Sequence, residues 1–297
     1  MELSTEKNTS LTSQDEKVIS PWMEAWKTFK RNKLAVVGTG IVLFFVLLAV
    51  FAPLIASEGI NEQKLQERLL SPSAEHWFGT DDFGRDILSR IIYGARISLW
   101  IGFFSVSGSI IVGCFLGIVA GYYGKWIDSI ISRMFDIMLA FPSILLAIAI
   151  VSVLGPSLKN ALIAIAIINI PAFGRLIRAR VLSVKEEEYI MAAKAIGMSD
   201  KRILFVHVLP NSIAPIIVQG TLAIATAIIE AAALGFLGLG AEAPNPEWGK
   251  MLSDAKTFLV QAPWTMIFPG LAIMLTVLGF NLMGDGLRDA IDPKMKN

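Results

Sequence analysis

The sequence predicts an all-α polytopic membrane protein with six transmembrane helices. Of its 297 residues, 54% are hydrophobic and 17% are charged, and the mean hydropathy is +0.61. Soluble domains carry about 25% charged residues. The charges are also clustered, and each charge-free run exceeds the roughly 20 residues that cross about 30 Å of hydrocarbon. These runs are 34–57, 97–124, 137–158 and 257–284.

The predicted spans are 34–56, 97–121, 135–155, 159–177, 212–239 and 265–286. The fourth span is short, because it lies between Lys159 and Arg175 and contains Pro171. It can cross the bilayer if the two basic side chains extend to opposite interfaces. The first span is expected to remain uncleaved, since its apolar run is too long for a signal peptide and no small-residue cleavage site follows it.

The distribution of Lys and Arg predicts that both termini are cytosolic. With that orientation the inner segments hold 18 basic residues and the outer segments hold 8. The inner segments are 1–33, 122–134, 178–211 and 287–297, together with Arg175. The segments 57–96 and 241–264 are therefore expected outside the cell.

We expect the chain to divide into an N-terminal cytosolic tail (1–33), a transmembrane domain (34–290) and a short cytosolic tail (291–297). Residues 1–19 are expected to be disordered, whereas 20–33 is expected to form a helix on the inner membrane surface. Ser20 can cap this helix and Pro21 suits its first turn. Its aromatic side chains share one face, and basic side chains occupy the others, although a plain linker is the alternative. The aromatic residues are Trp22, Trp26 and Phe29.

Small residues recur every four positions along the second span. They form a smooth ridge on which another helix can approach closely, so they predict packing and not a binding site. These residues are Ser105, Ser109, Gly113, Gly117 and Gly121.

Several kinds of chemistry are not expected. Gly124 and Lys125 are followed by Trp126, so there is no Walker A loop and no nucleotide site. His76 and His207 fall on opposite sides of the membrane, and we predict no metal site. The aspartates of 79–86 lack the order of a calcium loop and are expected to form a turn with charged caps. No catalytic residue is predicted.

Two polar residues inside the spans are candidates for the translocation path, Glu230 in the fifth span and Asn281 in the sixth. A charge near the bilayer centre costs about 2.5–3.5 kcal/mol on insertion scales, so Glu230 should face protein or water. A role in the solute path and a structural hydrogen bond remain alternatives.

A polar, basic stretch interrupts the apolar sequence at about 183–211, within "AAKAIGMSDKRILFVHVLPN". The acidic residues 186–188 suit the start of a helix, and Gly197 can end that helix in the left-handed conformation. Ser199 can then cap a second helix from Asp200 to about residue 208, which is expected to stop before Pro210.

Ala192 and Ala193 leave the first of these two helices with a flat surface. A flat helix can dock deeply into a groove of a partner protein, and an amphipathic loop on the membrane is the alternative. The spacing of the residues alone does not separate these two interpretations.

The same stretch resembles the coupling loop of ABC importer permeases, E-A-A, three residues, G, nine residues, I-x-L-P. Met191 replaces the glutamate and His207 replaces the isoleucine. The resemblance implies that this loop contacts an ATPase. The residues it assigns to coupling are Glu188, Met191, Ala192, Ala193, Gly197, His207, Leu209 and Pro210.

Three further stretches resemble the C-type permease subunit of peptide/nickel ABC importers: "PWMEAWKTFKRNKLAVVG", "HWFGTDDFGRDILSRIIYGARISL" and the region from "GFLGLGAEAPNPEWGKMLSDA" to "FPGLAIMLTVLGFNLMGDGLRDAIDP". Together they extend the resemblance to about 20–293. It implies a type I ABC importer permease fold in the bacterial plasma membrane. It also implies a second homologous permease subunit, two ATP-binding subunits that carry ATP and magnesium, and an extracytoplasmic solute-binding protein.

The expected function is therefore ATP-driven import of di- or oligopeptides, without catalysis or a cofactor in this chain. Import of nickel, a metal chelate or glutathione by the same architecture is the alternative within the family. An ion-coupled secondary transporter is a remote alternative from another class. It would need intramembrane ionisable residues and internal repeats, and neither is evident.

Overall fold

The computed structural model describes residues 21–291, and side chains from residue 23 onward. The tails 1–19 and 292–297, Ser20 and the side chain of Trp22 therefore lie outside the described residues. The helices, in chain order, are α1 (Pro21–Arg31), α2 (Lys33–Val50), α3 (Ala52–Ile55), α4 (Ile87–Tyr123), α5 (Lys125–Ala140), α6 (Ser143–Leu154), α7 (Leu158–Lys185), α8 (Glu188–Ala195), α9 (Asp200–Ile203), α10 (Leu209–Phe236), α11 (Trp248–Ala255) and α12 (Trp264–Ile291).

The all-α prediction is confirmed over residues 21–291, where five helices are long and apolar enough to cross a membrane. They are α2, α4, α7, the continuous helix Asp200–Phe236 and α12. The pair α5–α6 provides a sixth span if both helices belong to one crossing.

The third span is not the straight helix that we predicted over 135–155. The helix breaks at Phe141 and Pro142, and α5 and α6 meet at 97°. Pro142 forces this break, because a residue before proline is driven out of the helical region and Phe141 has an extended ψ of 140°.

The fourth span is longer than predicted, since α7 has 28 residues and continues past Pro171 to Lys185. Its inner half carries two arginines that pair with aspartates on α5. Arg178 donates two hydrogen bonds to Asp128, and Arg175 pairs with Asp136. These ion pairs give the arginines of α7 acidic partners within the bundle, so the helix can include them without interruption.

The ridge of small residues on α4 packs against α7, as predicted. A Cβ atom at Gly117 would lie 2.3 Å from the carbonyl oxygen of Gly174, and one at Gly113 would lie 2.7 Å from that of Ile170. The Ser109 hydroxyl donates to the Ala166 carbonyl oxygen at 2.8 Å. The two backbones therefore approach as closely as only small residues permit.

At the other side of the bundle, α2 packs against α12. A Cβ at Gly38 would lie 2.6 Å from the Cβ of Leu282. Asn32 caps α2, and its side-chain oxygen accepts hydrogen bonds from two backbone N–H groups of the first turn. Phe29 of α1 is buried beside Ala290, so the N-terminal helix is attached to the end of α12.

The segment 79–86 forms the charged turn that we predicted. The Arg85 side chain donates to the Asp81 carboxylate at 2.6 Å, and both aspartate and arginine are largely shielded from solvent. Asp86 caps α4, accepting a hydrogen bond from the Ser89 N–H at 2.7 Å. Helix α4 consequently begins at Ile87, ten residues before the predicted start of the span.

The segment 241–264 is more deeply packed than a surface connection. Trp248 is fully buried in α11, and its indole N–H donates to the Ile91 carbonyl oxygen at 3.1 Å. Glu247 is also buried and caps α11 through the N–H groups of Gly249 and Lys250. Burial raises the pKa of the Glu247 carboxyl to about 7. The two hydrogen bonds act in the opposite direction and offset only part of this effect.

Candidate functional site: a helical loop and a polar cluster between the spans

The first arm of the loop between the fourth and fifth spans is α8. It begins at Glu188 and ends as the sequence predicts, with Gly197 at a φ of +84°. The Met198 N–H bonds to the Ala193 carbonyl oxygen, and the Gly197 N–H bonds to that of Lys194. This pair of bonds is a Schellman motif, which stops α8 and turns the chain.

The second arm is not a separate short helix, and the prediction that it stops before Pro210 is wrong. The helix runs without interruption from Asp200 to Phe236. A π-helical turn at Leu204–Val208 precedes Pro210, and the Leu209 N–H bonds to the carbonyl oxygen of Leu204. The wider turn accommodates the proline, which has no N–H and would clash with the preceding turn of an α-helix.

The loop has an inner face that packs against the ends of the spans. Ile190 and Ile203 are fully buried with Ile177 and Val181 of α7. Ala193 belongs to this inner face, because it is only 7% exposed. Its side chain is therefore occupied by contacts within the chain, in contrast to the free surface that the sequence suggested.

The outer face of the loop is apolar and exposed. Ala192 is exposed, and so are several large apolar side chains of the same loop. The exposed fractions are high for residues of this kind: Ile196 81%, Phe205 70%, Met191 54% and Val206 53%. We call these exposed residues, together with Ala192, the outer loop face.

The two arms are joined near His207 and Pro210. The Tyr189 ring lies edge-on to the His207 ring at 5.6 Å, and the Asn211 amide donates to the Tyr189 hydroxyl at 3.4 Å. His207 and Leu209 are half-buried, whereas Glu188 and Pro210 are exposed. Tyr189 and Asn211 were missed by the sequence reasoning, because their contact depends on how the two arms fold together.

A polar cluster attaches the loop to the end of α4. The Tyr122 hydroxyl donates to the Asp200 carboxylate, and Lys185 donates to the Tyr122 carbonyl oxygen at 2.9 Å. The ammonium group of Lys194 also lies over the Tyr122 ring, 5.7 Å from its centroid. Tyr122 and Asp200 are 78 positions apart in the sequence, and no local pattern could have predicted this contact.

The two candidates for the translocation path do not form one site. Glu230 is half-buried in α10, and it accepts a hydrogen bond from the Asn169 amide on α7 at 3.1 Å. Ser143, the first residue after the break between α5 and α6, also lies against its carboxylate. Asn281 lies half-buried on α12, and no hydrogen bond among residues 21–291 joins it to Glu230.

These features together define a membrane component of a transport system. Residues 113–297 match the family model described as binding-protein-dependent transport system inner membrane component. Residues 20–72 match the N-terminal transmembrane domain of oligopeptide transport permease C. The chain belongs to the family of binding-protein-dependent transport system inner membrane components, which confirms its resemblance to C-type ABC permease subunits.

Its relatives include the dipeptide transport system permease protein DppC of Alkalihalophilus pseudofirmus, which is 68% identical over 279 residues, 94% of this chain and 92% of the relative. The glutathione transport system permease protein GsiD of Pectobacterium atrosepticum is 48% identical over 288 residues, 96% of this chain and 95% of the relative. An inward-facing structure of the MetNI methionine ABC transporter matches with a TM-score of 0.55 and 17% identity, over 69% of this chain and 97% of that one. This last similarity supports the fold alone.

Proposed function

We propose that this chain is a permease subunit that imports dipeptides, with short oligopeptides as further substrates. The observation that supports this most strongly is the 68% identity, over nearly the full length, to a dipeptide permease. Glutathione is the second candidate substrate, because relatives at 48% identity are named glutathione transport system permease proteins. ATP is hydrolysed on partner subunits, which carry the nucleotide and its magnesium.

The outer loop face is the surface that contacts an ATPase in this proposal. It combines the small, exposed Ala192 with exposed apolar side chains at Met191 and Ile196. Large apolar side chains exposed together at a surface commonly mark a protein interface. Gly197 and Pro210 shape the loop, and Ala193 supports it from within.

Movement of the loop is transmitted to the spans through fixed contacts. The second arm is continuous with the fifth span, and Tyr122 ties Asp200 to the end of α4. ATP binding and hydrolysis change which loop position the ATPases favour, and this difference shifts the permease between inward-open and outward-open states.

The proposed partners are a second homologous permease subunit, two ATP-binding subunits and an extracytoplasmic solute-binding protein. The last of these would contact the exposed tips of 241–264, around Asn245 and Val260. Glu230 would line the path between the permease subunits, because its carboxylate is only half-buried and lies beside the break between α5 and α6.

The orientation proposed from charge is testable by labelling single cysteines in a Cys114→Ala background. With an impermeant thiol reagent in intact cells or spheroplasts, a cysteine at Ser73 should react and one at Ser199 should not. Labelling at Ser199 alone would reverse the orientation.

The substrate is testable by uptake of a radiolabelled dipeptide into cells that lack this permease. Expression of the chain with its partner subunits should restore uptake, and excess unlabelled dipeptide should compete better than glutathione or Ni²⁺. Restored uptake of glutathione without uptake of dipeptide would favour the second candidate. Complementation without either substrate would reject both.

A further inference from the structure

The outer segment between the first two spans contains a histidine surrounded by carboxylates. His76 is 2% exposed, and its Nδ1 atom lies 3.1 Å from Asp86 Oδ1. Its Nε2 atom lies 3.3 Å from Glu67 Oε2. Glu75 is adjacent, and one ligand atom from each of Glu67, Glu75 and His76 lies within 4.8 Å of the others.

The hydrogen-bond partners of His76 pose a chemical problem. A neutral imidazole has one donor and one acceptor nitrogen, and an ionised carboxylate can only accept. Both nitrogens of His76 face carboxylates, so one contact is unsatisfied unless a positive charge is present. That charge is either a second proton on the ring or a cation bound between Nε2 and the glutamates.

The surroundings carry more negative than positive charge. Lys64 lies 2.6 Å from Glu58 Oε1 and 3.8 Å from Glu67 Oε2, so this single ammonium group is shared between two carboxylates. The other oxygen of Glu58, Oε2, is buried and has no hydrogen-bond partner among residues 21–291. Glu58 also interacts electrostatically with His76. A divalent cation would offset this excess better than one proton.

Although the sequence alone predicts no metal site, we propose that Glu67, Glu75 and His76 Nε2 bind a divalent transition-metal ion of the zinc class. Imidazole nitrogen and carboxylate oxygen are zinc ligands at about 2.0–2.2 Å, which places two tetrahedral ligands about 3.4 Å apart. The Nε2 to Glu67 Oε2 distance of 3.3 Å fits this spacing. Glu75 is exposed and free to close the small remaining gap.

Asp86 contacts the ring nitrogen of His76 that does not face the proposed ion. Metal-bound histidines commonly donate their other N–H to a carboxylate, which fixes the tautomer and directs the free nitrogen to the metal. Asp86 does this at Nδ1, while its second oxygen caps α4. The backbone of His76 is also held, because its carbonyl oxygen accepts from the N–H groups of Ser73 and Gly79.

A bound ion would therefore cross-link the segment 57–86 internally, next to the beginning of α4. Glu67 and Glu75 come from this segment, and His76 is linked through Asp86 to the first turn of the second span. All the proposed ligands belong to this chain, so the site does not depend on which solute is transported.

The test is zinc binding by the purified importer complex in detergent, measured by elemental analysis after equilibration with chelator-buffered Zn²⁺. Wild type should retain one more zinc per copy of this chain than the Glu67→Gln/Glu75→Gln double variant. Glu62→Gln is the matched control, since Glu62 is an exposed carboxylate of the same segment outside the cluster, and it should bind like wild type. Asp86→Asn keeps a good helix cap and should weaken affinity by about 10–100-fold.

Cobalt provides a second readout that identifies the ligands. Co²⁺ added to the metal-free complex should give visible absorption bands that His76→Gln abolishes and Glu62→Gln preserves. Equal zinc retention by wild type and the double variant would overturn the proposal and leave His76 as a doubly protonated ring between two carboxylates. Transport assays play no part in this test, so its failure would not affect the proposed function.

Discussion

The α4–α7 contact and the loop between α7 and α10 represent opposite uses of small residues. On α4, glycines bring two backbones of the same chain together, and a Cβ at Gly117 or Gly121 would lie 3.0 Å or less from atoms of α7. In the loop, Ala192 is exposed among apolar side chains that the chain leaves uncovered. The buried glycines of α4 contact a helix of the same chain. The exposed Ala192 is left available for a helix-docking partner from another chain.

The largest effect is expected when a side chain fills the contact between α4 and α7. Gly117→Leu should destabilise the permease by about 1–3 kcal/mol or more, because its side chain has no space beside the Gly174 carbonyl oxygen. Gly40→Leu is the matched control, since a Cβ there meets nothing within 4 Å. Thermal unfolding of the purified complexes should separate the two variants, and equal melting temperatures would refute the close packing.

Substitutions at Ala192 and Ala193 should have different effects, because Ala192 is exposed and Ala193 is buried. Ala192→Arg should leave the permease folded and weaken ATPase association by about 2 kcal/mol or more, roughly thirtyfold, as for the loss of an interface hot spot. Ala193→Arg should instead destabilise the permease, because it buries a charge without a partner. Co-purification of the ATPases and thermal unfolding would be measured together. Normal ATPase association and uptake in Ala192→Arg would contradict the docking role.

The third prediction concerns the polar contact inside the spans. Glu230→Gln retains an acceptor for the Asn169 amide and should reduce uptake only modestly, about twofold or less. Glu230→Leu leaves that amide without this partner and removes polarity from the path, so uptake should fall further, by an amount equivalent to about 1–3 kcal/mol. Wild-type uptake by Glu230→Leu at equal expression would exclude a role for the carboxylate in the path.

The features that the sequence predicted correctly are those determined by residues close together in the chain. Charge-free runs located the spans, four-residue spacing identified the ridge, and Gly197 ended α8 as its conformational freedom requires. The predictions that were wrong concern helix ends and breaks at proline, which depend on the neighbouring backbone. Pro210 did not end a helix because a π-helical turn accommodates it, while Pro142 broke a helix that hydrophobicity alone made continuous.

Contacts between distant residues were not predictable by the same rules. The inward position of Ala193 follows from the packing of Ile190 and Ile203 against α7, and the Tyr122–Asp200 contact joins segments 78 positions apart. Helix periodicity could have separated Ala192 from Ala193 by face, but it could not tell which face the spans would cover.

The smallest expected effect lies where the two arms of the loop meet. His207 replaces the isoleucine of the family pattern, and its buried Nε2 atom has no hydrogen-bond partner among the described residues. His207→Ile removes this unsatisfied group and retains an apolar contact for the Tyr189 ring. It should preserve uptake and stabilise the chain by about 1 kcal/mol. His207→Asn keeps a polar group there and should give no gain, so thermal unfolding of both variants checks the assignment. A loss of coupling in His207→Ile, with ATPase association intact, would instead show that the imidazole itself takes part in transmitting movement.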